Sequence, residues 1–304
     1  MLDLKLIVQN ALRSGFAIPA FNVPYLPMVE SVIRAIVDRN SFALIETARL
    51  EWLKFEAGGL QAVAQEFTRW QKPEHVRLHL DHVPVIDEDG RRVDYLAIMQ
   101  QAIDLGYHSV MVDASRLPLE DNIAATRQVA AIAHQAGIPC EAELGAVLGH
   151  ESGPLPPYET LFASGKGFTK VDEARRFVVE SGCDWLSVAI GNIHGSISGG
   201  YKDQKKIAAR LDLEHLGRLF QATCVPLVLH GGSGIPREYV LAAFKKGIAK
   251  INIGTEIRQA YAATLKSTGR ISAAQDAVYE YTSWLISAYF GLDDLCEKLA
   301  QEEV

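Results

Sequence analysis

No stretch of this chain approaches the roughly 18 consecutive apolar residues that a membrane-spanning helix needs, so no membrane partner is expected. The first 15 residues form an amphipathic pattern without an unbroken apolar core or a small-residue cleavage site, which argues against a secretory signal. Cysteine is sparse. Cys140, Cys183, Cys224 and Cys296 are scattered with no C-x-x-C pair, as fits reduced thiols of a cytoplasmic protein. No run of Lys or Arg is present; the three lysines of residues 202–206 are interrupted by Asp203, and the formal net charge is −7. Polyphosphate binding needs basic patches, so a nucleic-acid partner is not expected. The first apolar run is not followed by G-x-G-x-x-G, which weakens a dinucleotide-binding reading.

What is present is a periodic α/β pattern. Apolar content of 48% over 304 residues suits a large core, and the length is ordinary for one α/β barrel. Short apolar runs at 17–21, 43–47, 76–80, 109–113, 139–144, 185–189, 226–229 and 250–253 read as eight parallel strands buried on both faces. Amphipathic stretches separate them, such as 93–105, where Leu96, Met99 and Ile103 share a stripe. Gly106, Gly137, Gly182 and Gly247 stand where such helices would end. Eight alternations favour a closed TIM (β/α)8 barrel, although periodicity alone leaves an open doubly wound sheet possible. Extra C-terminal helices are expected over about 272–304, on an apolar stripe of Ala274, Val278, Tyr281, Leu285 and Ala288 that would pack on the barrel or on a second subunit. With no linker and no compositional shift, residues 1–304 read as one domain.

A barrel carries its chemistry at the C-terminal ends of its strands, and polar, metal-capable residues gather there. The third strand ends in Asp81 and His82, the fourth in Asp113, the fifth in Glu143, and the sixth runs towards His194. The seventh ends in His230 followed by Gly231, Gly232 and Ser233; the eighth runs through Asn252 to Gly254 and Thr255. A lone histidine at a strand end usually has a structural role, and His75, His108, His134 and His215 read that way, with His79 as a core or supporting residue. Histidines at three strand ends beside two carboxylates suit a divalent metal, Zn²⁺ above all. Glycine-rich turns at two adjacent strand ends suit phosphate held by backbone N–H groups. A metal-dependent hydrolase would use many of the same parts.

The strings LHLDH (78–82), MVDAS (111–115), EAELG (141–145), VAIGNIHG (188–195), PLVLHGGSG (226–234) and KINIGTEIR (250–258) resemble the class II fructose-bisphosphate/tagatose-bisphosphate aldolases, in order and in spacing. The resemblance runs from about Gly15 to Ala262. It implies aldol cleavage or condensation of a ketose phosphate into dihydroxyacetone phosphate, or a similar ketone, and an aldehyde, through a zinc-stabilised enediolate. His82, His194 and His230 would hold Zn²⁺ or another divalent ion, with Asp113 and Glu143 at an alternative metal position and a monovalent cation as an assistant. Asp81 would move the proton at the aldehyde-derived hydroxyl, and Glu151 the proton of the ketone donor. Gly195, Gly231, Ser233, Asn252 and Thr255 would bind the phosphorylated ketone. A homodimer or homotetramer is expected from the C-terminal stripe and the family. The pattern departs after the second strand: Glu46, Thr47, Ala48 and Arg49 replace the family's Ser and Gly-Ala. That marks the aldehyde side as altered, with Glu46 and Arg49 as its candidate residues. A non-catalytic sugar-phosphate-binding relative is the remaining alternative.

Overall fold

The computed structural model describes residues 3–146, 158–192 and 209–300. Glu151, His194 and Gly195, and Tyr201 and Lys202 beyond them, lie outside the described residues. Eight parallel strands close into a barrel in sequence order: β1 (Ile18–Asn22), β2 (Ala43–Ala48), β3 (Val76–Pro84), β4 (Ser109–Asp113), β5 (Cys140–Leu144), β6 (Trp185–Val188), β7 (Leu227–Leu229) and β8 (Ile248–Ile253). Closure comes from β1 against β8, with Ile18 opposite Lys250 and Ala20 opposite Asn252. The eight expected runs all become strands, because each is apolar enough to be covered on both faces. Leu44, Leu78, Leu80, Val110 and Ile251 have no more than 1% of their surface exposed, and burying such a side chain contributes about 1.5–3 kcal/mol.

Helices cover the outside. The first, Leu4–Arg13, is capped by the Asp3 carboxylate, which accepts from the Lys5 N–H, and it buries Leu4, Ile7, Val8 and Ala11. Gly106, Gly137, Gly182 and Gly247 all have positive φ, the backbone reversal that lets a helix stop and the chain turn into the next strand. No helix among the described residues is long and apolar enough to cross a membrane.

The C-terminal helices pack on the barrel's own helices. Ile271–Trp284 lies against Met28–Asp38 and Thr255–Thr268, with Gln275 Nε2 donating to Pro27 O and the Tyr279 hydroxyl to Asp38 Oδ2. The expected stripe holds as far as Leu285 and then shifts. Residues Leu285–Phe290 form a π-helical turn, so Ile286 and Phe290 are buried while Ala288 is exposed. The wider turn moves each following residue round the helix, and a stripe counted at 3.6 residues per turn misses that step.

Candidate active site

Inside the barrel the strands place a layer of polar side chains. Glu46 of β2, His79 of β3, Glu141 of β5 and Lys250 of β8 are all fully buried. Lys250 Nζ lies 3.0 Å from Glu141 Oε2 and 3.3 Å from Glu46 Oε2. These strands are not neighbours, so the contacts must cross the lumen. Buried polar groups are costly unless paired, and the layer pairs them. Burial alone would lower the pKa of Lys250, but Glu141, Glu46 and Asp81 hold it above the usual lysine range. Burial alone would raise Glu141, but Lys250 and His230 bring it down to about 2. Glu46 goes the other way: burial, reinforced by Asp81, raises its carboxyl well above the usual range despite Lys250. The layer therefore holds one ammonium against one carboxylate, with a neutral acid beside them. His79 Nδ1 lies 2.8 Å from Ser109 Oγ, and burial with Lys250 pushes its imidazole down to about 3, so it is neutral.

Above this layer sits the strand-end chemistry. The β3–β4 register shifts between Leu80 and Val83, and within that irregularity His82 takes φ +32°, a strained value for a residue that carries a Cβ. The bulge lets the consecutive residues Asp81 and His82 both line one pocket, which strict alternation along a strand would forbid. Asp81 is clamped by two carboxamides: Asn22 Nδ2 donates to Oδ2 and Asn252 Nδ2 to Oδ1, each at 3.0 Å. Lys250 Nζ in turn donates to Asn252 Oδ1 at 2.7 Å. Burial would raise the pKa of Asp81, but His82, His230 and Lys250 hold it well below the usual carboxylate range, so it is ionised.

The His82 and His230 rings meet edge to face, 4.5 Å between centroids. His230 Nε2 lies 2.8 Å from Glu141 Oε1, and its Nδ1 lies 3.3 Å from Glu143 Oε2. His82 Nδ1 lies 3.3 Å from Asp113 Oδ2, while Ser115 N and Oγ donate to the other Asp113 oxygen. Two donor sets share His82: Asp81, His82 and His230 in one, His82, Asp113 and Glu143 in the other, each with ligand atoms within 4.8 Å of one another. Nitrogen and carboxylate donors at such spacing fit a divalent cation. The end of β6 is tied to the same place, since Asn192 Nδ2 donates to His230 O at 3.0 Å.

The pocket's second wall is made of turns. Gly231, Ser233, Asn252, Gly254 and Thr255 line it. Gly232 N–H donates to Asn252 O at 3.1 Å, joining the turn after β7 to β8. The Ser233 hydroxyl is buried with no partner among the described residues. Gly254 caps helix Thr255–Thr268 with no side-chain cap, so first-turn N–H groups remain for an anion. A Cβ on Gly254 would come within 3.1 Å of Asn22 Oδ1, a tight approach that would push the Asn22 side chain back by a few tenths of an ångström.

Glu46 and Arg49, expected on the acceptor side, do not line this pocket. Glu46 points into the lumen, and Arg49 Nη1 turns to Asp87 at 3.8 Å. A helix, Arg49–Lys54, starts directly after β2, and its third residue is the one that turns inward. Glu51 Oε2 accepts from Ala48 N–H at 2.8 Å, half of a capping box, and burial pushes its carboxyl up to about 8. Glu51, Phe55, Glu88, Asn22 and Arg258 line the pocket and were not singled out by the sequence; a glutamate three residues past the end of β2 was the available signal for the first. The histidines read as structural are so. His75 Nδ1 contacts Ser41 O, His108 Nδ1 accepts from Leu78 N, His134 pairs with Asp184 and His215 Nε2 contacts Thr169 O.

The comparisons with known proteins agree with this geometry. The sequence profile described as fructose-bisphosphate aldolase class-II matches residues 2–302. The fructose-bisphosphate aldolase of Streptococcus pneumoniae serotype 4 is 35% identical over 277 residues, 90% of this chain and 85% of its own length. That of Streptococcus pyogenes serotype M3 is 34% identical over 278 residues, again 90% of this chain and 85% of its own. Among solved structures, the YdjI aldolase of Escherichia coli K12 matches with TM-score 0.74 at 30% identity, covering 96% of this chain and 98% of that one. This chain therefore belongs to the class II fructose-bisphosphate aldolase family and is a lyase of that family.

Proposed function

We propose that this chain catalyses the reversible aldol cleavage and condensation of a ketose phosphate, with dihydroxyacetone phosphate or a similar ketone as one partner and an aldehyde as the other. The observation that carries this reading is a single pocket in which the donor sets around His82 adjoin the glycine and serine turns after β7 and β8. His82 and His230, with His194, would hold Zn²⁺, and Asp113 and Glu143 would serve the alternative position. When bound, such an ion supplies Lewis-acid polarisation of the ketone oxygen. The protein's own groups do the rest. Gly231, Ser233, Asn252 and Thr255, with Gly195, hold the ketone and its phosphate. Asp81, ionised and clamped by Asn22 and Asn252, takes the proton from the aldehyde-derived hydroxyl in cleavage and returns it in condensation. Glu151 moves the proton of the donor carbon. Glu141 fixes the His230 ring from behind.

The cytoplasmic setting and the homodimeric or homotetrameric state belong to the same proposal; half-exposed Ile271 and Trp284 on the C-terminal helix supply apolar surface for assembly. The test is carbon–carbon cleavage by the Zn²⁺-loaded protein on a panel of ketose phosphates. His230→Ala should lower kcat by about 10³-fold or more, the scale on which losing an electrostatic stabiliser acts. Cleavage at the wild-type rate by His230→Ala after metal removal would refute the reading. So would products that carry oxygen from labelled water in place of a split carbon–carbon bond.

A further inference from the structure

The C-terminal helices reach both turns that form the glycine wall. Tyr281, Trp284 and Tyr289 make a row of rings along Ile271–Trp284 and the π-helical turn that continues it, with centroids 5.4 Å apart for the first pair and 5.6 Å for the second. Tyr281 and Trp284 are three residues apart, ordinary neighbours on an α-helix. Trp284 and Tyr289 are five apart. At 3.6 residues per turn that spacing carries a side chain about 140° round the helix, whereas a π-helical turn closes on the fifth residue and brings the two rings together. One end of the row meets the turn after β7: the Tyr289 hydroxyl donates to Ile235 O, and Arg237 Nε donates back to Tyr289 O at 2.7 Å. Ile235 N–H donates to Gly232 O at 3.4 Å, which closes the turn that carries Gly231 and Ser233 into the pocket. The other end faces the first turn of helix Thr255–Thr268, where burial and the Glu256 carboxylate push the Tyr281 hydroxyl up to about 12. β7 has only three residues, and its register against β8 shifts between Leu227 and Val228, so strand pairing alone gives the outgoing turn little support.

We propose that Tyr289 is a positioning residue for the phosphate site: it pins the turn after β7 at the separation from the first turn of helix Thr255–Thr268 at which N–H groups of both meet one oxyanion. Tyr281 and Trp284 brace it there. The inference rests on the aldolase reading above and deepens it, since the anion is then the phosphate of the ketone donor, and it gives the π-helical turn a use. Tyr289 does not line the pocket; it lies behind the turn and acts through Ile235. A turn held loosely still binds phosphate, but ordering it is then subtracted from the affinity. The cost falls on binding, so KM for the donor moves and kcat does not.

The experiment uses the full-length, Zn²⁺-loaded protein and two variants that each lose one hydroxyl. Tyr289→Phe removes the hydroxyl that meets Ile235 O and keeps the ring. Tyr279→Phe removes a hydroxyl from the same C-terminal helix that donates to Asp38 Oδ2 and to neither turn. Calorimetric titration with inorganic phosphate should give a Kd about 3–10-fold higher for Tyr289→Phe, the scale of one hydrogen bond, and an unchanged Kd for Tyr279→Phe. In condensation assays Tyr289→Phe should raise KM for dihydroxyacetone phosphate by the same factor and leave kcat and the aldehyde KM where they were. Arg237→Gln, which removes the tie from the other side, should weaken phosphate binding by about 2–3-fold and serves as the test if Tyr289→Phe does not fold. An unchanged phosphate Kd in Tyr289→Phe, or an equal rise in Tyr279→Phe, would overturn the proposal. A wild type that binds no phosphate would overturn it too. Solvent deuterium exchange into dihydroxyacetone phosphate without aldehyde separates the two readings. Exchange by a protein whose phosphate affinity ignores Tyr289 sinks this inference alone. No exchange by a wild type whose phosphate affinity depends on Tyr289 sinks the aldolase reading and leaves the phosphate site standing.

Discussion

The turns after β7 and β8 meet the pocket with Gly231, Ser233, Gly254 and Thr255, whereas the segment after β2 meets it with Leu50, Glu51 and Phe55. The first wall is backbone. At Gly232 nothing larger fits: a Cβ there would lie 2.7 Å from Ile251 Cγ1 and 2.9 Å from Asn252 O. The second wall is side chain, and its shape is set by rotamers and stacking. A wall of N–H groups recognises one kind of group, an oxyanion, and tolerates little change. A wall of side chains can be altered one residue at a time without disturbing the barrel. The backbone wall is therefore the fixed one, and the side-chain wall, built by the segment after β2, the adjustable one.

Both walls stand on the same buried layer, so the change with the largest expected effect should damage them together. Lys250→Met leaves Glu141 in the lumen without its ammonium and Asn252 without the donor that orients it. Breaking a buried ion pair on one side costs about 3–5 kcal/mol, and chemical denaturation should show a loss of that size. Glu141 also stays ionised only while Lys250 and His230 face it. Its pKa is lowered, so its contribution to stability is present above the ordinary glutamate range and is lost as pH falls towards about 2. Lys250→Met should flatten that acid limb. An unchanged unfolding midpoint would mean that the lumen admits water and that the two walls share no common footing.

A smaller effect, confined to one wall, is expected of Gly232→Ala. The added methyl must displace Ile251 or the Asn252 carbonyl, an overpacking that costs about 1–3 kcal/mol. In steady-state kinetics the variant should raise KM for dihydroxyacetone phosphate and leave the ratio between acceptors where it was. A shift in acceptor ratio of similar size would erase the distinction between the two walls.

That distinction also explains which parts of the site could be read in the sequence. Glycine and serine are ordinary turn residues, but two such turns at adjacent strand ends together pointed to Gly231, Ser233 and Thr255. Asp81 and His82 were legible because two consecutive polar residues break the strand's alternation of polar and apolar residues. The β1–β8 pairing that closes the barrel was not legible, since a periodic pattern is the same in an open sheet. Lys250, Glu141 and His79 were passed over as catalytic candidates because each is one polar residue in an apolar run, and what joins them is proximity across a lumen rather than spacing along the chain. Glu46 and Arg49 were taken for the acceptor wall because they flank the end of β2. Strand alternation turns Glu46 into the lumen, and the helix that begins at Arg49 swings that side chain out to Asp87 and Glu51 in. Arg258 was invisible as a pocket residue because it belongs to the helix after β8 and reaches Phe55 only in three dimensions.

The smallest expected effect tests the side-chain wall through pH. Glu51 is buried, and burial raises its carboxyl from the usual glutamate value to about 8 even though the Ala48 N–H donates a hydrogen bond to it. A group whose folded-state pKa lies above its unfolded one stabilises the fold below the unfolded pKa, and that stability is lost as pH rises through the folded pKa. The loss is steepest between the unfolded value and about pH 7 and levels off above about pH 8; between pH 7 and pH 9 it still amounts to something on the order of 1 kcal/mol. Glu51→Gln keeps the shape of the side chain and has no proton to lose. Unfolding midpoints of the two proteins should therefore diverge from pH 7 to pH 9, with the wild type falling relative to the variant. The divergence belongs to the side-chain wall alone, because the backbone wall carries no group that titrates in this range. Parallel profiles would mean that Glu51 is ionised at neutral pH and that the side-chain wall presents a carboxylate in place of a neutral acid.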